Sequence, residues 1–128
     1  MMTDPVVGFA GLTHLGLVSA AATAARGFKV VGFDPETTRV AEISSGRLPV
    51  LEPGLDDLWR RHQTRIAVTA EIGALAACDV VYISSDVPTD DAGGSDLGAI
   101  SALVARVIPV LKSTAVLVVL AQVPPGFT

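Results

Sequence analysis

The sequence lacks several features that mark whole classes of protein. It contains a single cysteine, so no intramolecular disulfide can form and a reducing compartment, the cytoplasm, is expected. It has no basic cluster and a net charge of -4, which argues against a nucleic-acid partner. Residues 115–121, the longest apolar run near the end, are too few to cross a bilayer, and residues 1–5 do not resemble a signal peptide. We therefore expect no membrane partner either.

Aromatic residues are also scarce, at 5% of the chain, although half of all residues are hydrophobic. Ala, Val, Leu and Gly dominate instead, a mixture that suits buried parallel strands covered by closely packed helices. A chain of 128 residues is long enough for one domain and too short for two.

One stretch has a clear local pattern, an apolar strand beginning at Val6, then a tight turn and a helix. The turn has the spacing Gly11-x-Thr13-x-x-Gly16, a dinucleotide-binding fingerprint with threonine in place of the middle glycine. Gly11 would allow the sharp reversal after the strand, and Gly16 the close contact between helix and sheet. The N–H groups of the first helical turn would attract a diphosphate. Thr13 brings a methyl group that crowds the diphosphate and a hydroxyl that could bond a phosphate or cap the helix.

Asp34 follows Gly11 by 23 residues and ends the second apolar strand. This spacing predicts a carboxylate that accepts hydrogen bonds from the adenosine ribose and repels a 2′-phosphate, which favours NAD over NADP. The dipeptide Asp34-Pro35 equally suits a helix N-cap followed by proline at the first helical position. The two roles are compatible because the ribose would lie at this turn.

Strand and helix patterns alternate along the whole chain. Beyond the first strand, helices are expected over residues 14–26, 35–45, 55–63, 70–77 and 96–112, and strands over 28–33, 65–68, 78–85 and 115–121. The alternation predicts an α/β fold, a Rossmann-like doubly wound parallel sheet with strand order 3-2-1-4-5 in a three-layer α/β/α arrangement. A ligand would bind beyond the carboxyl ends of the strands, where the order reverses between strands 1 and 4.

Three side chains that often have functional roles, those of Cys78, Trp59 and His62, are expected to have none in this chain. Cys78, placed in the fourth strand, has no histidine or basic group nearby in the sequence and is expected to be a small core residue. Trp59 is expected to anchor a short helix by packing, and His62 is expected to be solvated. No metal site and no catalytic residue are predicted.

Several motifs together resemble the N-terminal domain of the UDP-glucose/GDP-mannose dehydrogenases. They are the stretch 11–18, Asp34 with Arg39 five positions later, the loop 46–55 that contains Glu52-Pro53-Gly54-Leu55, Asp86-Val87-Pro88 followed by Ser95-Asp96-Leu97, and Gln122-Val123-Pro124. The Glu-Pro-Gly-Leu loop is the most specific of these, and the likeness covers essentially the whole chain in order. The resemblance implies NAD as the cofactor and oxidation of the C6 alcohol of a nucleotide sugar to the acid.

The resemblance also implies which residues hold the cofactor. They are Gly11, Thr13, His14, Leu15, Gly16, Asp34, Arg39, Asp86, Val87, Pro88 and Gln122. The family commonly has glycine and then an aromatic residue at positions 13 and 14, and threonine at positions 87 and 122. Val87 cannot donate the hydrogen bond that the family's threonine at position 87 donates. Gln122 offers only an amide where the family's other threonine lies near the nicotinamide. These departures suggest a divergent branch of the family.

The family's cysteine nucleophile, catalytic lysine and sugar-binding residues come from later domains, and nothing in this chain replaces them. We therefore expect residues 1–128 to be an N-terminal dinucleotide-binding domain, inactive alone, without the central helical and C-terminal sugar-nucleotide domains. The full-length protein would take a small-molecule nucleotide sugar as its partner. A homo-oligomer is expected because the last strand forms an apolar sheet edge.

Two alternatives remain open at this point. One is a domain of another NAD-dependent hydroxy-acid dehydrogenase, against which the Glu-Pro-Gly-Leu loop argues. The other is a Rossmann binding or regulatory module with weakened cofactor binding, which Thr13 and Val87 favour.

Overall fold

The computed structural model describes residues 5–48, 52–84 and 97–120. Its strands are β1 (Val6–Ala10), β2 (Lys29–Phe33), β3 (Ile66–Thr69), β4 (Val80–Ile83) and β5 (Val116–Val119). Its helices are α1 (His14–Ala25), α2 (Thr37–Ser44), α3 (Leu55–His62) and α4 (Leu97–Val107), with 3-10 helices at Gln63–Arg65, Ile72–Ala77 and Ile108–Val110. Within the described ranges, no helix is both long and apolar enough to cross a membrane.

The five strands form one sheet in the order β3-β2-β1-β4-β5, and every neighbouring pair is parallel. The predicted order is therefore confirmed. β1 lies at the centre and pairs with β2 on one side and β4 on the other. The chain consequently reverses direction across the sheet next to β1, and a crevice at the carboxyl ends of β1 and β4 is the expected ligand position.

Two apolar cores cover the two faces of the sheet, as a three-layer arrangement requires. One core joins alternate strand residues such as Phe9 to α1, α2 and α3, and it includes the buried Trp59. The other joins Val81 and Ile83 to α4 and to the 3-10 helix Ile72–Ala77. Because both faces of β1 are covered, all residues from Val7 to Ala10 are buried.

Several predicted boundaries differ from the observed ones. The second helix begins at Thr37 with Glu36 as its N-cap, so the prediction that Asp34 and Pro35 start this helix is wrong. The carboxylate of Asp34 instead accepts backbone N–H groups, from Leu12 and Glu36, and the guanidinium of Arg39. The helix predicted over 70–77 is a 3-10 helix, and α4 ends at Val107, where a 3-10 turn containing Pro109 follows.

Cys78 precedes β4 and does not lie within it, but its predicted core role is confirmed. The side chain is fully buried and covers Gly8, where an added Cβ would lie 2.8 Å from the Cys78 sulfur. Burial raises the pKa of the Cys78 thiol to about 11, with the charge of Asp79 adding to the rise and that of Lys112 opposing it. The thiol therefore stays protonated at neutral pH and fills space above the central strand.

Candidate functional site

The turn after β1 has the geometry that its first glycine predicts. Gly11 has a φ of 109°, a backbone conformation that favours glycine. Its N–H donates to the carbonyl of Phe33 over 2.8 Å, which ties the turn to the end of β2. The chain can therefore leave β1 and enter α1 within three residues.

Gly16 lies where α1 comes closest to this turn. A Cβ on Gly16 would be 1.9 Å from the carbonyl oxygen of Gly11 and 3.0 Å from Oγ of Ser84. Only a residue without a side chain fits there, so the predicted close contact is confirmed. The first turn of α1 is thereby held against the carboxyl ends of β1 and β4.

Ser84, a residue that sequence reasoning missed, fastens the same turn from the side of β4. It is fully buried, and its hydroxyl donates to the carbonyl of Gly11 over 2.9 Å, while its N–H donates to the carbonyl of Ala10 over 2.9 Å. Its only sequence signal is that it is a small polar residue near the carboxyl end of the predicted strand 78–85. Its partner lies 73 residues away, so the contact becomes visible only in the folded chain.

Asp34 lies beside this turn and is almost fully buried. One carboxylate oxygen, Oδ2, accepts the N–H of Leu12 over 2.8 Å, and the other, Oδ1, accepts the N–H of Glu36 over 2.9 Å. Arg39 donates from Nη1 to both oxygens, over 3.0 and 3.2 Å. Asp34 thus joins the glycine turn, the end of β2 and α2 at one point.

The Arg39 contact has a consequence for any ligand at this position. A carboxylate has about four acceptor positions, and these four contacts fill them. A ribose hydroxyl would have to displace one of them. Arg39 is the donor with the most freedom to move, since its side chain is 32% exposed whereas the other two donors are backbone N–H groups.

Thr13 occupies the N-cap position of α1, but its side chain caps none of the N–H groups in the first turn. The predicted capping role is therefore wrong. Its backbone is extended, with φ at -90°, a conformation open to any residue, so the substitution of glycine by threonine introduces no backbone strain. Its carbonyl accepts the N–H of Leu17 and begins the helix.

The remaining predicted residues of the turn are His14 and Leu15, which open α1. Leu15 is half-buried, and His14 is exposed. His14 meets the Glu-Pro-Gly-Leu segment, because its Nε2 lies 2.9 Å from Oε2 of Glu52. The fold therefore brings together two of the motifs that suggested the family, although they are 38 residues apart.

Four predicted site residues, Asp86, Val87, Pro88 and Gln122, lie outside the described residues. The residues brought together are Gly11, Thr13, His14, Leu15, Gly16, Asp34 and Arg39. Across the part of the chain that the structure describes, no group of His, Cys, Asp and Glu side chains is arranged to hold a metal ion.

Known proteins are similar to this chain in sequence or in fold over nearly its whole length. The UDP-glucose 6-dehydrogenase of Pseudomonas aeruginosa is 31% identical over 119 residues, which cover 91% of this chain and 26% of that protein. A ternary complex of GDP-mannose dehydrogenase from Pseudomonas aeruginosa has a TM-score of 0.84 and 31% identity, with 94% of this chain and 29% of that chain covered. A UDP-glucose dehydrogenase from the hyperthermophilic archaeon Pyrobaculum islandicum has a TM-score of 0.89 and 29% identity, with 98% and 31% covered.

The chain spans about a quarter of the length of the curated relatives that it matches. Residues 6–128 also match the family described as UDP-glucose/GDP-mannose dehydrogenase family, NAD binding domain. The glycine turn, buried Asp34 and parallel sheet thus agree with the comparisons, and the chain belongs to this family as its NAD-binding domain.

Proposed function

We propose that this chain serves a nucleotide-sugar 6-dehydrogenase resembling UDP-glucose 6-dehydrogenase, in which it binds the NAD that accepts hydride from the sugar C6. The observation that carries the proposal is the junction of the Gly11 turn, the first turn of α1 and Asp34 at the carboxyl ends of β1 and β2. The names of the relatives, which act on UDP-glucose or GDP-mannose, support the substrate class.

The chain's own residues fit the diphosphate part of NAD. Gly11 and Gly16 leave no side chain between the turn and the helix, and a Cβ at Gly16 would collide with backbone. The first N–H groups of α1 lack acceptors within the helix, and the helix dipole adds partial positive charge at the same end. A diphosphate at this end would accept those N–H groups and be stabilised by the dipole.

Asp34 fits the adenosine ribose of NAD better than that of NADP. Its carboxylate is buried next to the turn, so a 2′-phosphate would bring like charges together in a poorly solvated place. Ribose hydroxyls would take over acceptor positions that Arg39 now fills. Arg39 would then lie at the adenosine end of the site.

The same filled carboxylate supports the alternative, a Rossmann module with weakened cofactor binding. Displacing Arg39 leaves a donor without its present acceptor and reduces the net gain from the ribose contact. The alternative is a binding or regulatory role, and it differs from the main proposal in predicting weak or absent cofactor binding. Titration with the cofactor therefore distinguishes the two.

We also propose that the 128-residue chain alone does not oxidise a nucleotide sugar. The covalent step in this family needs a cysteine thiolate, and the chain's only cysteine is Cys78. That thiol is buried in the core, and its pKa is raised to about 11. It can neither reach a substrate nor ionise at neutral pH.

Calorimetric titration of the chain with NAD and NADP tests the binding proposal. We expect NAD to bind more tightly than NADP, and Asp34→Ala to weaken NAD binding and narrow the preference. Asp79→Asn, at the opposite end of the sheet, is the matched control and should leave both affinities unchanged. Tighter binding of NADP would overturn the assignment of Asp34, and absence of NAD binding would favour the module with weakened cofactor binding. In a separate activity assay, NADH formation from UDP-glucose by this chain would contradict the proposed inactivity.

The expectation of a homo-oligomer stays a prediction. Within the described residues β5 is an edge of the sheet, and Val116 and Leu120 are exposed by 54% and 39%. An apolar edge strand of this kind tends to pair with a second chain. Sedimentation at increasing concentration should show self-association, and a strictly monomeric chain at high concentration would contradict it.

A further inference from the structure

The peptide group between Gly11 and Leu12, in the turn after β1, is held by a side chain at each of its polar atoms. Its carbonyl, on Gly11, accepts the hydroxyl hydrogen of Ser84 over 2.9 Å. Its N–H, on Leu12, donates to Oδ2 of Asp34 over 2.8 Å. Both side chains are buried. The peptide is trans and planar, so its carbonyl and its N–H point in opposite directions and the two side chains hold it from opposite sides.

The strand order explains why these two side chains meet the same peptide. β1 lies between β2 and β4, and Asp34 and Ser84 are the residues that directly follow those two neighbours. All three strands are parallel, so their carboxyl ends lie at one edge of the sheet. Each neighbouring strand therefore brings one side chain to the segment that leaves β1.

The backbone alone leaves the orientation of this peptide open. The N–H of Gly11 is bonded to the carbonyl of Phe33, and the side chain of Leu12 is fully buried in the core, so the chain is fixed on both sides of the peptide. The peptide plane between these fixed points can still rotate, because glycine restricts its neighbouring torsion angles less than any other residue. The two side-chain hydrogen bonds therefore set the rotation.

Rotation of this peptide would disturb the proposed cofactor site in two ways. It would withdraw the N–H of Leu12 from the buried carboxylate of Asp34, which needs its donors. It would also turn the carbonyl oxygen of Gly11 out of the interior. That oxygen is the negative end of the peptide dipole, so it would repel an anionic diphosphate at the start of α1.

We propose that Ser84 is a positioning residue for NAD binding. Its hydroxyl holds the carbonyl of Gly11 inward and thereby keeps the N–H of Leu12 directed at Asp34. The inference rests on the proposed binding of NAD at this turn. Without the hydroxyl, a share of the molecules has the peptide rotated, and the apparent NAD affinity falls in proportion to the share that stays competent.

Calorimetric titration with NAD tests the inference. In Ser84→Ala we expect about fivefold weaker affinity, the effect of one hydrogen bond between uncharged groups. Thr23→Val is the matched control, because the Thr23 hydroxyl also donates to a carbonyl, that of Ser19 over 2.8 Å, farther along α1. The control should keep the parent's affinity. Unchanged affinity in Ser84→Ala, or an equal loss in Thr23→Val, would overturn the inference.

Amide hydrogen exchange followed by NMR separates positioning of this peptide from general support of the fold. In Ser84→Ala without cofactor, the N–H of Leu12 should exchange about fivefold faster than in the parent. The N–H of Gly11, which donates to Phe33, belongs to the preceding peptide and is the internal reference. Equal acceleration of the two amides would show that Ser84 stabilises the domain as a whole, and the positioning role would be wrong.

Ser84→Cys gives a graded test that keeps a donor in the same place. A thiol donates more weakly than a hydroxyl, so this variant should lie between the parent and Ser84→Ala in NAD affinity and in the exchange rate of Leu12. It also serves if Ser84→Ala does not fold. Affinity below that of Ser84→Ala would show that the shape of the side chain matters and its donor does not, which would overturn the inference.

Failure of this inference differs from failure of the proposed function. If the parent binds NAD and Ser84→Ala binds it equally well, the positioning role is wrong and the cofactor assignment stands. If the parent binds no NAD, the proposed function fails and the role of Ser84 in cofactor binding fails with it. The exchange rates would in that case still show whether Ser84 holds the peptide.

Discussion

An aspartate carboxylate accepts a backbone N–H group at each end of the central strand β1. Beyond the carboxyl end, the N–H of Leu12 donates to Asp34, and at the amino end the N–H of Val6 donates to Asp79 over 2.7 Å. Each aspartate is also paired with a basic side chain, Asp34 with Arg39 and Asp79 with Lys112. The two ends of the central strand are thus fastened by the same chemistry. The surroundings differ, because Asp34 is 2% exposed and Asp79 is 40% exposed.

This difference separates the proposed cofactor site at the carboxyl end from a strand anchor at the amino end. The amino end holds β1, β4 and β5 together, since the N–H of Asp79 donates to Val6 and its carbonyl accepts the N–H of Val116. Water can replace the exposed carboxylate at little cost in free energy. At the carboxyl end the buried carboxylate must keep its partners, or exchange them for equivalent donors from a ligand.

Asp34→Asn should have the largest effect on stability. The asparagine would have one acceptor oxygen, and its amide hydrogens would face the donors of Leu12, Glu36 or Arg39. Breaking a buried pair in this way costs about 3 to 5 kcal/mol in the free energy of unfolding. Urea denaturation measures the change, and Asp79→Asn is the matched control. Equal losses in the two variants would show that burial does not distinguish the two ends.

Gly16→Ala should have the next largest effect, because it tests the close approach at the carboxyl end. The new Cβ would lie 1.9 Å from the carbonyl oxygen of Gly11, so α1 must move away from the turn. We expect a loss of about 3 kcal/mol in the free energy of unfolding. Gly73→Ala is the control, since a Cβ there meets no atom within 4 Å. A stable Gly16→Ala variant with unchanged NAD affinity would contradict the described geometry.

At the amino end, a smaller effect that depends on pH is expected. The hydrogen bond from Lys112 holds the pKa of the Asp79 carboxyl below its usual range, the N–H of Val6 adds to this, and desolvation opposes it. A carboxyl whose pKa is lowered by folding stabilises the native state above its unfolded value, about 3.9, and loses that contribution as the pH falls through the folded value.

Asp79→Asn should therefore lower the free energy of unfolding at neutral pH and make little difference in strong acid. Unfolding measured for both proteins at neutral pH and below about pH 3 gives the comparison. The other carboxyl groups titrate in both proteins, so their contributions cancel in the difference. A deficit that stays constant with pH would show that Asp79 acts through hydrogen bonding without its charge.

Local sequence patterns predict the strand order and the glycine turn at the carboxyl end of the sheet, but they do not predict the side-chain contacts around that turn. Apolar strands alternating with helices predict the strand order, since right-handed crossovers leave few arrangements, and Gly11 and Gly16 could be assigned from their spacing. The contacts of Ser84 with Gly11 and of His14 with Glu52 join residues 73 and 38 positions apart. Only the packed fold brings such pairs together, so no local pattern predicts them.

Thr13 also shows this limit, and it gives the smallest expected effect on stability. Its position predicts a cap, but the side chain caps no N–H group in the first turn of α1. Thr13→Gly should lower the free energy of unfolding by about 0.5 to 1 kcal/mol, through the greater flexibility of glycine in the unfolded chain. Chemical denaturation measures this change, and a loss well above 1 kcal/mol would show that the side chain has a larger structural role.

Cofactor affinity distinguishes two remaining roles of the Thr13 side chain, a hydroxyl that bonds a phosphate and a methyl group that crowds the diphosphate. Thr13→Ser removes the methyl group and keeps the hydroxyl, whereas Thr13→Gly removes both. We expect Thr13→Ser to keep NAD affinity and Thr13→Gly to weaken it about fivefold. The reason is that a hydrogen bond from the hydroxyl to a phosphate oxygen would contribute about 1 kcal/mol. Calorimetric titration of the two variants and the parent gives the comparison. Tighter NAD binding in both variants would show instead that the methyl group obstructs the diphosphate. Threonine in place of the family's usual glycine at position 13 would then weaken cofactor binding at the carboxyl end of β1.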